Sequence, residues 1–222
     1  MDHQFRILTV CTGNICRSPA AELLLRRGLG PGVLVESAGT HALVDSPIDP
    51  LMASTLGLAG AGPDSFRARA LVPEMIERAD LVLAMSREHR SEVVTLVPTA
   101  VRRTFTLTEF AAVLAGWEED GQSRPFYTVR PGERLEEFMA VAARRRSSGR
   151  PAEYDIPDPF RMAPEVYRDA ADRISLAVDT IVGCLDETPD EPFVLPVPEP
   201  VEEARPGTSE RGLRRLFGRR HT

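Results

Sequence analysis

Hydrophobic positions along the chain alternate between short solid runs and helical spacings. Residues 5–10 (Phe-Arg-Ile-Leu-Thr-Val) and 81–84 (Leu-Val-Leu-Ala) are β-rich apolar runs that predict buried strands, as do residues 33–37 and 101–105. Residues 19–27, 49–58, 72–78, 87–97 and 107–114 are richer in helix formers and predict helices. Ser18 supplies an N-cap to the first of these, with Pro19 at its first position. A last, long helix is predicted over 164–185, with Ile174, Val178, Ile181, Val182 and Leu185 on its apolar face. Strands that alternate with helices predict the α/β class, a parallel doubly wound sheet with helices on both faces.

Two stretches break this rhythm. Residues 117–150 are polar and rich in Gly and Pro around one helical segment, 132–146, which ends in Arg144-Arg145-Arg146. They read as a surface insertion in one domain, 1–185, with the arginines suited to the negative end of a helix dipole. From 186 to 222 the chain is Pro- and Glu-rich and cannot bury enough apolar surface to offset its entropy, which predicts a disordered tail. Its end carries five arginines within residues 211–220, a candidate contact for an anionic membrane or a partner.

Composition narrows the setting. The 222 residues suffice for one α/β domain with a sizeable core. No apolar run approaches the ~20 residues of a membrane-spanning helix, so no integral membrane segment is expected. The chain opens Met-Asp-His-Gln and runs straight into a strand, so no signal peptide is expected and a cytoplasmic location is. Three cysteines, an odd number, suit a reduced compartment better than a disulfide framework. A net charge of −6 argues against a nucleic-acid partner. His3, His41, His89 and His221 show no metal-ligand spacing, and neither a metal nor a cofactor is expected.

The candidate chemistry lies in Cys11-Thr12-Gly13-Asn14-Ile15-Cys16-Arg17-Ser18. A Cys, five residues and an Arg form a weak pattern alone, but this one follows a buried strand directly and opens a helix directly. Backbone N–H groups converge there at the positive end of the helix, which makes an anion site from main chain. The same electropositive focus favours the thiolate of Cys11, a good nucleophile toward phosphorus. Gly13 allows an unusual backbone conformation and close approach to a phosphate. Arg17 can grip two phosphoryl oxygens through its planar fork. Ser18 can donate its hydroxyl to the sulfur, and Asn14 can fix the loop through side-chain to backbone bonds. Hydrolysis also needs a proton for the leaving oxygen. Asp158, between Pro157 and Pro159, is the candidate acid, with Asp155 as the neighbouring alternative.

Val10 through Pro19, the later Ser37-Ala38-Gly39-Thr40, and Asp158-Pro159-Phe160 before the last helix resemble, in that order, the low-molecular-weight protein tyrosine phosphatases. The resemblance covers about residues 4–116 and 152–185. It implies a four-stranded parallel sheet in flavodoxin-like order 2-1-3-4, with the active site at the carboxyl end of the first strand. It also implies Cys11 as nucleophile, Arg17 as phosphate clamp and Asp158 as general acid. Thr12, Gly13, Asn14, Ile15, Cys16 and Ser18 become the phosphate-binding loop, and Cys16 the loop cysteine able to bond Cys11 under oxidation. Leu43 and Phe160 become pocket walls. Three departures stand out. Leu43 replaces the usual Trp or Tyr, Arg161 follows Phe160 where a second aromatic is usual, and residues 117–150 and 186–222 have no counterpart. His41-Ala42-Leu43-Val44 resembles bacterial members that act with the tyrosine kinases of capsule and exopolysaccharide export, so a phosphotyrosine protein, including such a kinase, is the expected partner.

Two other readings share the loop. Arsenate reduction coupled to thioredoxin needs further cysteines near the site, and none lies between Cys16 and Cys184, which reads as a core thiol. A phosphotyrosine-binding module with weak catalysis would be expected to lack Cys11, Arg17 or Asp158, and all three are present.

Overall fold

The computed structural model describes residues 4–57, 66–119, 131–142 and 154–185. Four strands, β1 (Phe5–Cys11), β2 (Val33–Gly39), β3 (Leu81–Ala84) and β4 (Thr104–Thr106), form one parallel sheet in the order β2-β1-β3-β4. Among the described residues, seven α-helices connect and cover them: α1 (Arg17–Leu29), α2 (Pro50–Thr55), α3 (Pro73–Glu77), α4 (Arg87–Leu96), α5 (Leu107–Glu119), α6 (Pro131–Ala142) and α7 (Pro164–Leu185). This is the sheet order that the resemblance implied. Among the described residues, no helix is long and apolar enough to cross a membrane.

Side-chain alternation along β1 splits the core into two layers. Phe5, Ile7 and Cys11 face one side, packed with Leu25 of α1, Phe110 of α5 and Ile174, Val178 and Ile181 of α7. Leu8 and Val10 face the other, packed with Met75 and Ile76 of α3 and Val93 of α4. All four residues of β3 are buried, because helices cover both faces of a parallel sheet and leave no wet side.

Several elements differ from their sequence-based expectation. The strand expected over 101–105 is mostly a 3₁₀ turn, Pro98–Arg103, and only Thr104–Thr106 pair with β3. Pro98 opens that turn at a position where its missing N–H costs nothing, and Thr104 Oγ1 closes it by donating to Ala100 O at 2.8 Å. Within the segment expected as a surface insertion, α6 buries Leu135, Phe138 and Ala142, spaced i, i+3, i+7, in the same core as α5 and α7. Gly132 lies against β1, where a Cβ would stand 3.0 Å from Phe5 Cβ. Residues 120–130, 143–153 and the tail 186–222, with its expected disorder and basic end, lie outside the described residues.

Candidate active site

β1 lies between β2 and β3, and the chain runs from β1 to β2 toward one edge of the sheet and from β3 to β4 toward the other. The carboxyl end of β1 therefore opens into the crevice where such sheets bind ligands. Residues 12–16 bridge that end to α1. Four carbonyls from Cys11 to Ile15 are turned outward by residues 40–49: Thr40 N donates to Cys11 O at 2.9 Å, His41 N to Thr12 O at 2.9 Å, Leu43 N to Gly13 O at 3.0 Å and Asp49 N to Ile15 O at 2.8 Å. In a planar trans peptide the next N–H points opposite to the carbonyl, so the amides of Thr12, Gly13, Asn14 and Cys16 turn toward the loop centre. Ser37-Ala38-Gly39-Thr40 leads into this segment, and Thr40 supplies the first of the donors. Gly39 pairs with Cys11 in register, and any Cβ there would stand 2.4 Å from Thr12 O.

Two expectations for the loop change. The left-handed backbone belongs to Asn14, with φ 54°, and not to Gly13. Asn tolerates that region better than most residues, and here its side chain fixes it from three directions. Asn14 Nδ2 donates to Ser18 Oγ at 2.9 Å and Ser37 Oγ at 2.8 Å, while Asn14 Oδ1 accepts from Arg69 N at 2.8 Å. Ser18 is not the N-cap of α1, which starts at Arg17 after Cys16 and has no side-chain cap. The Ser18 hydroxyl lies 3.0 Å from Cys11 Sγ instead, a competing partner that drew it inward. Behind it, Ser37 donates to the buried carboxylate of Glu22, which also pairs with Arg26 at 2.7 Å. Burial raises the Glu22 pKa, and the Ser37 hydroxyl and the arginines pull it back. One unbroken hydrogen-bond path thus runs from the Cys11 sulfur to Glu22.

Arg17 is almost wholly buried, its side chain 5% exposed, while its partner Asp158 is 51% exposed. Arg17 Nη1 donates to Ile156 O at 3.2 Å, and Nη2 meets Asp158 Oδ2 at 2.7 Å and Thr12 Oγ1 at 3.4 Å. The loop carrying Asp158 is itself moored, since buried Ile156 donates its N–H to Met85 O at 3.0 Å, just past β3. Asp155 and Asp158, alike in sequence, separate here. Asp155 is clamped on the N-terminus of α4, accepting from Arg87 N at 2.8 Å and Arg87 Nη2 at 3.1 Å. Asp158 lines the pocket with Cys11.

That pocket, about 140 Å³, is walled by the loop after β1 with His41, Leu43 and Phe160. Leu43 and Phe160 are exposed at the mouth, and the Arg161 guanidinium lies 5.0 Å over the Phe160 ring. Cys16 also lines it but is buried, and that burial, then Asp49 and Cys11, raises its pKa and holds it as the thiol. Cys184 is in the core beside α7 residues and does not line the pocket. Among the described residues, no group of three His, Cys, Asp or Glu side chains is placed to hold a metal. Sequence reasoning passed over His89, which sits beside Thr12 with its Nε2 2.8 Å from Thr12 Oγ1. Its signal was position: Ser86-Arg87-Glu88-His89 opens a helix directly after a strand's carboxyl end, where sites gather.

Sheet order, loop and helix define an α/β protein with a cysteine at the base of a main-chain anion cradle. The chain belongs to the low molecular weight phosphotyrosine protein phosphatase family, whose model matches residues 6–144. The low molecular weight protein-tyrosine-phosphatase Etp of Escherichia coli K12 is 46% identical over 98 residues, which are 44% of this chain and 66% of that relative, just under two thirds of its length. A protein-arginine-phosphatase of Geobacillus stearothermophilus is 32% identical over 177 residues, 80% of this chain and 93% of that one. A solved structure, the YwlE arginine phosphatase of the same organism, superimposes with a TM-score of 0.57 at 32% identity, covering 81% of this chain and 91% of that chain.

Proposed function

We propose that this chain hydrolyses phosphate monoesters through a phosphocysteine on Cys11, with phosphotyrosine in proteins as the substrate class. The reading is carried by the 3.0 Å contact of Cys11 Sγ and Ser18 Oγ at the base of a pocket that Arg17 and Asp158 also line. The sulfur attacks phosphorus as the thiolate, and the leaving oxygen takes a proton from Asp158. An arriving phosphoryl group competes with Asp158 for Arg17 Nη2, which frees the carboxyl to face the leaving oxygen. Water then attacks the phosphocysteine and gives its proton to Asp158, while Ser18 donates to the departing sulfur. The inward amides of Thr12, Gly13, Asn14 and Cys16 and the Arg17 fork hold the equatorial oxygens throughout.

Ile15, Leu43 and Phe160 support an aryl substrate, because they offer apolar surface to a flat ring. The Geobacillus relatives favour a second reading, a phosphoarginine substrate. A guanidinium would need acceptors on the walls, and Asp158 is the one carboxylate among the described residues lining the pocket. The arsenate alternative gains nothing from Cys184, which does not line the pocket. A cytoplasmic setting and a tyrosine kinase of polysaccharide export as physiological partner complete the proposal. Parallel assays with a phosphotyrosine peptide, a phosphoarginine peptide and thioredoxin-coupled arsenate reduction test it. The phosphotyrosine peptide is expected to turn over fastest; faster release from phosphoarginine, or arsenate reduction alone, would overturn the substrate assignment.

A further inference from the structure

His89 sits in the first turn of α4 with 4% of its surface exposed, and both ring nitrogens are engaged. Nδ1 lies 2.6 Å from Ser86 Oγ, and Nε2 lies 2.8 Å from Thr12 Oγ1. Thr12 Oγ1 in turn accepts from Arg17 Nη2 at 3.4 Å, the nitrogen that pairs with Asp158. One threonine hydroxyl therefore joins a buried imidazole to the phosphate clamp.

We infer that His89 is a positioning residue that holds the Thr12–Arg17 side of the phosphate cradle in place, a role that rests on the phosphatase reading above. One ring tautomer leaves the Thr12 hydroxyl free for the substrate: Ser86 Oγ, which accepts the His89 backbone N–H at 3.4 Å, gives its own proton to Nδ1. Nε2 then carries the ring proton and donates to Thr12. With His89 and Arg17 both donating to its oxygen, the Thr12 hydroxyl proton is the one left over, on a residue that lines the pocket. It is directed at a phosphoryl oxygen. Burial, then the Arg17 charge, lowers the His89 pKa to about 4 against the opposing pull of Asp158 and Asp155. The ring is therefore neutral at pH 7 and leaves the guanidinium charge of Arg17 to the substrate. A lysine in its place could supply the hydrogen bond but would set a second cation beside the clamp.

The alternative is a histidine that merely fills space behind the loop. Four proteins distinguish the two: wild type, His89→Leu, Thr12→Val and the double variant, with His89→Gln as a fifth whose amide can still donate to Thr12. Steady-state kinetics with p-nitrophenyl phosphate are measured beside circular-dichroism melting. His89→Leu is expected to lower kcat about tenfold with a much smaller change in KM, as befits loss of a buried bond that steadies a charged clamp. His89→Gln is expected to recover most of that loss. In the Thr12→Val background, His89→Leu should cost less than about twofold, because its route to Arg17 is already cut. An unchanged kcat in His89→Leu, or losses that multiply in the double variant, would overturn the inference. If His89→Leu fails to fold, His89→Gln and Thr12→Val still decide it, since a Gln variant as slow as Thr12→Val would also refute the role. NMR of the ring nitrogens in the wild type is expected to show the proton on Nε2, and a proton on Nδ1 would refute the assigned order. If the wild type hydrolyses no aryl phosphate, the phosphatase reading fails separately. Calorimetric titration of the same proteins with inorganic phosphate then carries the test, with threefold or greater weakening expected in His89→Leu and equal affinity counting against it.

Discussion

Replacing Asn14 with alanine removes two buried hydrogen bonds and one part-buried one at once, and leaves an alanine at φ 54°. A residue with a plain Cβ in the left-handed region costs about 1 kcal/mol more than asparagine or glycine. The Arg69 N–H loses its acceptor, and the Ser18 and Ser37 hydroxyls lose a donor, at about 1 kcal/mol net each. The sum is roughly 3–4 kcal/mol, a large share of the 5–15 kcal/mol typical of a domain. Asn14→Gly loses the same bonds without the Cβ, so it should be the milder variant by about 1 kcal/mol. Activity should fall further than stability alone explains, because Ser18 loses the bond that orients it 3.0 Å from Cys11 Sγ. A drop of about a hundredfold in kcat is the scale for such misplacement. Urea denaturation followed by circular dichroism gives the first number, and p-nitrophenyl phosphate turnover under native conditions the second. Loss of less than about 1 kcal/mol with near-normal kcat would refute the reasoning, as would Asn14→Gly proving clearly worse than Asn14→Ala.

Arg17→Lys should lower kcat/KM more than about tenfold, since a point ammonium cannot replace a fork held by Ile156 O and Asp158; a smaller loss removes the clamp role. Asp158→Asn should slow phenyl phosphate by about 10²–10⁴-fold and good leaving groups much less. Asp155→Asn should act mainly by loosening Arg87 and the loop; leaving-group dependence in Asp155→Asn but not in Asp158→Asn would reverse the assignment. His89 gives a pH signature in stability. Its folded-state pKa, about 4, lies below the ordinary 6.5, so an unfolding chain takes up the proton first as pH falls. The wild type should therefore lose about 2–3 kcal/mol more than His89→Gln between pH 7 and pH 4.5, read by urea denaturation, and parallel curves would exclude it.

The alternation of strands and helices and the loop were legible because both are written locally, in short apolar runs, turns, and a Cys-to-Arg spacing between a strand and a helix, whereas the strand order came only with the family resemblance. What was not legible depends on distant partners. Gly13 and Asn14 are adjacent, and only the amides of residues 40–43 and 69 decide which one takes the left-handed backbone. Ser18 reads as a cap until the Cys11 sulfur is within reach of it. Asp155 and Asp158 are alike until Arg87, 68 residues earlier, claims the first. Leu135, Phe138 and Ala142 had helical spacing in plain view, but the polar, Gly- and Pro-rich sequence around them hid that they meet the core. His89 escaped because the chemistry did not require it, and because Thr12, its partner, is 77 residues away.

A covalent phosphoryl group on Cys11 is the most direct test of the chemistry. Wild-type protein is mixed with ³²P-labelled aryl phosphate, quenched in acid within a turnover and digested, and the labelled peptide is sequenced by mass spectrometry. Label on Cys11 through a phosphorus–sulfur bond is expected, with none in Cys11→Ser, which should still bind inorganic phosphate through its intact backbone cradle. Steady hydrolysis by Cys11→Ser, or label on any other residue of the active wild type, would contradict it.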